Sequence, residues 1–216
     1  MTDASLRITE IFYSLQGEAR TVGFPTVFVR LTGCPLRCNY CDSEYAFFGG
    51  ERKTLDEIVA EVTSYKPVYV CVTGGEPLAQ PNCLPLLERL CDAGFKVSLE
   101  TSGALAIDET DERVSRVLDL KTPASGESSK NLYGNIALLT RNDQVKFVIC
   151  DRQDYEWARL KLDELRLLEY VDDVLFSPSY GQISPKDLAN WIVEDNLRVR
   201  FQLQLHKLLW DDAPGH

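Results

Sequence analysis

The chain is short of positive charge. Lys and Arg number 23 against 33 Asp and Glu, for a formal net charge of −10 over 216 residues. A protein that neutralises the phosphates of a nucleic acid needs a basic footprint, so no nucleic-acid partner is expected. Long apolar runs are missing too: no stretch reaches the roughly 20 residues of a membrane span. The first 10 residues carry no apolar stretch behind a basic start, so neither membrane insertion nor a secretory leader is expected. Repeats, low-complexity tracts and linkers are absent, which points to one domain over residues 1–216. The 7 cysteines are an odd number and too sparse for a small disulfide scaffold, and 3 of them fall within residues 34–41. That pattern implies a reduced, cytoplasmic chain with a metal site.

What is present is an alternation. Apolar, β-branched runs at 26–31, 68–73, 96–100, 114–120, 144–149, 174–176 and 199–205 read as strands. Amphipathic stretches at 54–65, 83–93, 154–168 and 184–193 read as helices. Thr54 and Glu57 have capping-box spacing, and Pro185 follows the capping candidate Ser184. Alternating strands and helices imply a parallel sheet with right-handed crossovers. The fold class is therefore α/β, a partial (βα) barrel of about six parallel strands, too few to close an eight-stranded barrel. Chemistry in such folds sits at the carboxyl ends of the strands. The polar signals fall there: the cysteine loop, Gly74-Gly75-Glu76-Pro77, Glu100-Thr101-Ser102-Gly103, Lys121-Thr122 and Ser177-Pro178.

The strongest of these is Cys34-Pro35-Leu36-Arg37-Cys38-Asn39-Tyr40-Cys41. Soft thiolates at this spacing suit an iron–sulfur cluster or zinc. Zinc sites more often use paired Cys-x2-Cys elements, whereas three thiolates leave one iron of a four-iron cluster open. Paired Gly74 and Gly75 let the backbone approach a ligand closely, although alone the motif is only a turn. Arg30, amid Val27, Val29 and Leu31, is either a solvent-facing strand residue or a bidentate carboxylate clamp. Gln16 carries paired donor and acceptor groups; with Glu18 it forms either a solvated loop or a recognition loop. Ser43 is a cap or a metal-binding hydroxyl. His206 is a strand-end histidine or a general base. Cys71, Cys83, Cys91 and Cys150 lie on predicted strands or helices and read as small buried apolar groups.

Cys-x3-Cys-x2-Cys with Tyr40 before the last cysteine resembles the signature of the radical S-adenosylmethionine (SAM) superfamily. The resemblance implies a [4Fe–4S] cluster on Cys34, Cys38 and Cys41, with SAM chelating the open iron, and a trimmed radical SAM fold. It also implies SAM contacts from Tyr40, Gly74, Gly75, Glu76, Glu100, Ser102, Lys121 and Ser177. Glu10 to Glu18, Arg30, Cys41-Asp42-Ser43, Asp119 to Pro123 and Gln204 to Lys207 resemble the 7-carboxy-7-deazaguanine synthase family over nearly the whole chain. For that family the implied activity is ring contraction of 6-carboxy-5,6,7,8-tetrahydropterin with loss of ammonia, in the 7-deazapurine (queuosine) pathway. The implied pterin site is Leu15, Gln16, Gly17, Glu18, Arg30, Thr73 and His206, with Mg²⁺ on Ser43. A reductant such as flavodoxin and a homodimer are further expectations of the resemblance. The competing readings are a glycyl-radical activase, which needs a protein partner, and a non-catalytic iron–sulfur or zinc module.

Overall fold

The computed structural model describes residues 4–211. Among these a single sheet has nine strands: β1 (Ser5–Leu15), β2 (Pro25–Leu31), β3 (Glu51–Thr54), β4 (Tyr69–Gly74), β5 (Lys96–Thr101), β6 (Ser115–Asp119), β7 (Gln144–Ile149), β8 (Asp173–Pro178) and β9 (Arg200–Phe201). Their order is β3-β1-β2-β4-β5-β6-β7-β8-β9, so the sheet is not closed. From β2 through β9 every neighbouring pair is parallel, and β1 and β3 add an antiparallel flank. The expected partial barrel is present, with seven parallel strands, the last of only two residues. The helices are α1 (Leu55–Ser64), α2 (Cys83–Asp92), α3 (Arg152–Glu164), α4 (Leu167–Tyr170), α5 (Pro185–Glu194) and α6 (Leu205–Trp210). Thr54 and Glu57 cap α1 reciprocally, as their spacing predicts.

Period-two alternation sorts each strand between a packed face and a polar one. Val27, Val29 and Leu31 of β2, Val70 and Val72 of β4, and Leu99 of β5 enter one apolar cluster with Ile58 and Val62 of α1 and Leu86, Leu87 and Leu90 of α2. Val145, Phe147 and Ile149 of β7 enter a second with Phe176 of β8 and Tyr155, Ala158 and Leu162 of α3. The intervening positions, Arg30, Thr73, Glu100, Asp119 and Lys146, line a common cavity on the opposite face. The register sets them side by side: Arg30 pairs with Thr73, Glu100 with Val117, and Asp119 with Lys146. A one-residue slip of β2, β5, β6 or β7 would turn its charged residue toward the core.

Four features differ from the sequence expectations. β1 was not anticipated, because its register shifts between Ile8 and Glu10 and its alternation changes face mid-strand. β3, Glu-Arg-Lys-Thr, is an edge strand with no apolar residue to signal it. The expected helix over 154–168 ends at Glu164, and Arg166 takes a left-handed conformation (φ 50°) before α4 begins. The strand expected over 199–205 stops at Phe201; the Leu205 N–H donates to the Gly17 carbonyl (2.9 Å) at the start of α6. His206 therefore sits on a helix, not at a strand end.

Candidate active site

The carboxyl ends of the strands open into a cavity of about 550 Å³. Cys34, Cys38 and Cys41 lie along one wall, on the loop that leaves β2. Arg37 fixes that loop by donating to the Cys34 carbonyl (2.8 Å) and the Leu36 carbonyl (2.6 Å) while its guanidinium lies 4.2 Å from the Phe47 ring centroid. Burial pushes all three thiols up, Cys38 to about 11, with Lys121 acting in the opposite direction. Such thiols need a strongly thiophilic metal to stay deprotonated. Three soft donors on one loop of the cavity lining suit an iron–sulfur cluster.

The turn after β4 packs directly on this loop. Gly75 N–H donates to Leu31 O (3.1 Å) and Glu76 N–H to Gly33 O (2.8 Å). A Cβ on Gly75 would stand 2.3 Å from Gly33 O and 2.8 Å from Cys34 Cβ, so the glycine is required by the cluster loop itself. With these two amides committed, the turn can offer carbonyl oxygens, which suits a ligand amino group. Glu76 does not line the cavity: it is fully buried and accepts from Thr101 Oγ1 (2.9 Å), Ser102 N–H (2.7 Å), Ser102 Oγ (2.5 Å) and Leu78 N–H (3.0 Å). Its carboxylate ties the β4 turn to the β5 turn. Tyr40 reaches into the cavity, its hydroxyl buried without a partner, and Lys121 Nζ lies 5.9 Å from its ring. Lys121 pairs with Asp119 (3.1 Å), whose other oxygen has no partner.

On the opposite side Gln16 is 2% exposed, which excludes a solvated loop. Gln16 Nε2 donates to Glu100 (3.4 Å) and its carbonyl accepts from Glu18 N–H (3.0 Å). Glu100 also accepts from Thr73 Oγ1 (3.1 Å), so it stands with the residues expected to hold substrate, although the sequence grouped it with SAM. Burial, and then Glu18 nearby, push its carboxyl up. Glu18 is buried as well, yet Lys146, with which it forms an ion pair, outweighs burial and holds it low. Gly17 packs under His206: an added Cβ would lie 2.3 Å from Nδ1. Burial lowers the His206 imidazole below its ordinary value, favouring the neutral ring.

Arg30 projects between these two regions. Its Nε donates to Glu10 (2.7 Å), which also accepts from Tyr45 OH (2.9 Å), and a terminal nitrogen approaches Ser43 Oγ at 3.5 Å. Ser43 Oγ donates to Asp42 (2.9 Å), whose other oxygen faces Gln204 (3.3 Å) and Lys207 (3.6 Å). Burial works against the Asp42 charge, but Lys207 and Ser43 hold its carboxyl below the ordinary range. Asp42 and Ser43 thus form a hard-oxygen pair of the kind Mg²⁺ takes alongside substrate and water.

Leu15 and Ser102 line the cavity as expected. Ser177 does not: it is 1% exposed within β8, and Ser179 and Tyr180 reach the cavity instead. Asp119, Lys146, Gln204 and Lys207 were not foreseen as site residues. Lys146 had a signal, a lone cation inside the apolar run Gln-Val-Lys-Phe-Val-Ile. The tail from Trp210 to His216, which the sequence leaves as a candidate cover for substrate, is described only through Asp211.

Thiolates beside a glycine turn at the mouth of a partial barrel define the class, and the family comparison agrees: residues 28–166 match the radical SAM superfamily model, so this chain is a radical SAM protein. It belongs to the 7-carboxy-7-deazaguanine synthase family. The relative of that name from Koribacter versatilis is 46% identical over 95% of this chain and 97% of its own length, and that from Chlorobaculum tepidum is 43% identical over 99% of both. The fold is similar to that of the crystal structure of QueE from Escherichia coli, with a TM-score of 0.74 at 23% identity, covering 94% of this chain and 95% of that one.

Proposed function

We propose that this chain converts 6-carboxy-5,6,7,8-tetrahydropterin to 7-carboxy-7-deazaguanine with loss of ammonia, as a radical SAM lyase of 7-deazapurine biosynthesis. One observation carries the reading: a single cavity of about 550 Å³ joins the three cysteines and glycine turn to Gln16, Glu18, Arg30, Ser43, Thr73 and Glu100. When bound, the cluster and SAM would supply radical chemistry at the carboxylate-bearing carbon of the pterin. The protein holds the partners and excludes water. Cys34, Cys38 and Cys41 ligate three irons. Gly74 and Gly75 receive the SAM amino group, and Tyr40, Ser102 and Lys121 line the SAM side. Arg30, steadied by Glu10, clamps the substrate carboxylate through its terminal nitrogens. Gln16 and the Gly17 backbone pair with the heterocycle edge, flanked by Leu15, Thr73 and His206. Burial, and then Glu18 nearby, push the Glu100 carboxyl up, and it faces the ring beside Gln16 and Thr73. Lys146 offsets the Glu18 charge through its ion pair.

Mg²⁺ on Ser43, beside Asp42, is part of this reading. Ser43→Ala is expected to raise the magnesium concentration needed for half-maximal turnover, measured by titration of the reconstituted protein; an unchanged response would remove Ser43 from the metal site. Arg30→Lys keeps the charge but loses the planar fork. At roughly 1.5–3 kcal/mol for a charge-assisted bond, KM for the carboxypterin should rise about 10- to 100-fold with kcat little changed. A rise confined to kcat would place Arg30 elsewhere in the mechanism.

A flavodoxin-like electron donor, a cytoplasmic location and a homodimer complete the proposal. Thiolate ligands need a reducing compartment, and no helix among the described residues is long and apolar enough to cross a membrane. One domain over residues 1–216 carries the activity, supported by a sheet that runs through all the described strands. The deciding experiment is anaerobic incubation of reconstituted protein with SAM, reductant and the carboxypterin, followed by mass analysis. Formation of 7-carboxy-7-deazaguanine without a protein partner is expected; its absence despite SAM cleavage would overturn the substrate assignment.

A further inference from the structure

The cysteine loop is held from behind as well as from the cavity. Asp154, in the first turn of α3, is 1% exposed and does not line the cavity. Its carboxylate accepts from Thr122 Oγ1 (2.9 Å), Ala124 N–H (3.0 Å) and Cys150 N–H (3.1 Å). It therefore pins the segment that follows β6 to the end of β7. That segment is stiffened internally: Ser125 Oγ donates to Thr122 O (2.6 Å) and accepts from Glu127 N–H (3.0 Å). It then reaches the cysteine loop. Ser125 O accepts from Asn39 N–H (3.0 Å), Ala124 O from Asn39 Nδ2 (3.0 Å), and Glu127 Oε1 from Arg37 N–H (2.7 Å). Arg37 and Asn39 are the residues on either side of Cys38.

We propose that Asp154 is a positioning residue for the cluster: through residues 122–127 it fixes the backbone on both sides of Cys38 and so the placement of that thiolate. The inference rests on the reading of the three cysteines as cluster ligands. Removing the carboxylate leaves its buried donors, the Thr122 hydroxyl and the Cys150 amide, without an acceptor, and the segment that Thr122 opens is the one bonded to Arg37 and Asn39. Partners that orient metal ligands from outside are typically worth about 10- to 100-fold in metal affinity.

The test compares reconstituted wild type, Asp154→Ala, Asp154→Asn, Asn39→Ala and the Asp154→Ala/Asn39→Ala double variant, each below its melting temperature. Two readouts are taken: the rate of iron loss to a chelator, and the change in the electron paramagnetic resonance (EPR) signal of the reduced cluster on adding SAM. Asp154→Ala should lose iron about 10-fold faster and show a weakened SAM response. Asp154→Asn, which keeps one acceptor oxygen, should fall between it and wild type. The double variant should be no worse than the poorer single one, because both cut the same chain of contacts. Asp143→Asn is the control, since Asp143 is a fully buried carboxylate bonded to Arg116 just ahead of β7, at the opposite end of the strand. It should lower the melting temperature without speeding iron loss. Should Asp154→Ala not fold, Asp154→Asn and Asn39→Ala decide by the same readouts. Wild-type rates of iron loss in the Asp154 and Asn39 variants, or equal acceleration by Asp143→Asn, would overturn the proposal. A wild-type protein that takes up no cluster at all would instead overturn the reading of the cysteines, and the inference with it.

Discussion

Cys38→Ala is expected to abolish both cluster assembly and turnover while leaving the fold intact. Three thiolates are the minimum that holds a four-iron cluster with one iron open, and none of the other four cysteines lines the cavity to take over. Cys71 and Cys83 are buried among strand and helix side chains, and Cys91 sits on α2. Cys38 itself belongs to neither apolar cluster, so the metal-free variant should unfold within about 0.5 kcal/mol of metal-free wild type. Iron content after anaerobic reconstitution should fall to background and product formation below detection, while Cys91→Ala behaves as wild type. A Cys38→Ala protein that retains a full cluster would remove this residue from the ligand set.

A large effect on stability is expected at Lys146. Lys146 and Glu18, with side chains 11% and 12% exposed, form an ion pair between β7 and the loop after β1, and Gln204 donates to the other Glu18 oxygen (2.8 Å). Breaking such a pair by removing one partner strands a charge in low dielectric and costs about 3–5 kcal/mol, whereas replacing both is far less harmful. Lys146→Met should therefore destabilise the protein by that amount in urea unfolding, and Lys146→Met/Glu18→Leu should recover most of it. The pH dependence has a definite sign. Glu18 is held below its ordinary value in the folded protein, so its contribution is fully present above the unfolded carboxyl value of about 4.3. It is lost as pH falls through the lowered folded value. Wild type should lose this stabilisation in acid, and the double variant should show a flatter acid limb. A Lys146→Met protein as stable as wild type would mean that the pair contributes no net stability.

The parallel part of the sheet and most of the cavity were legible because both follow from short-range pattern. Apolar runs with period two mark β2, β4, β5 and β7, and the chemistry-bearing residues sit at or just past their ends. What escaped notice depends on contacts between distant segments. β1 changes face at its register shift, and β3 is stabilised by pairing with Ser5–Ile8 rather than by burial. α6 begins where the Leu205 amide meets Gly17, far away in sequence. Glu76 illustrates the same limit. Its motif suggested a ligand contact, yet Thr101 and Ser102 at the end of β5 enclose its carboxylate. Lys146 carried only the signal of a lone cation in an apolar run; its role depends on the register that places it beside Asp119 and on the loop that brings Glu18 to it.

The most direct measurement is the EPR spectrum of the anaerobically reconstituted, reduced protein before and after addition of SAM labelled with ¹⁵N at its amino group. Chelation of a vacant iron corner predicts a changed spectrum with hyperfine coupling from that nitrogen. A spectrum indifferent to the labelled compound, or a protein that binds zinc in place of iron and sulfide, would contradict the account.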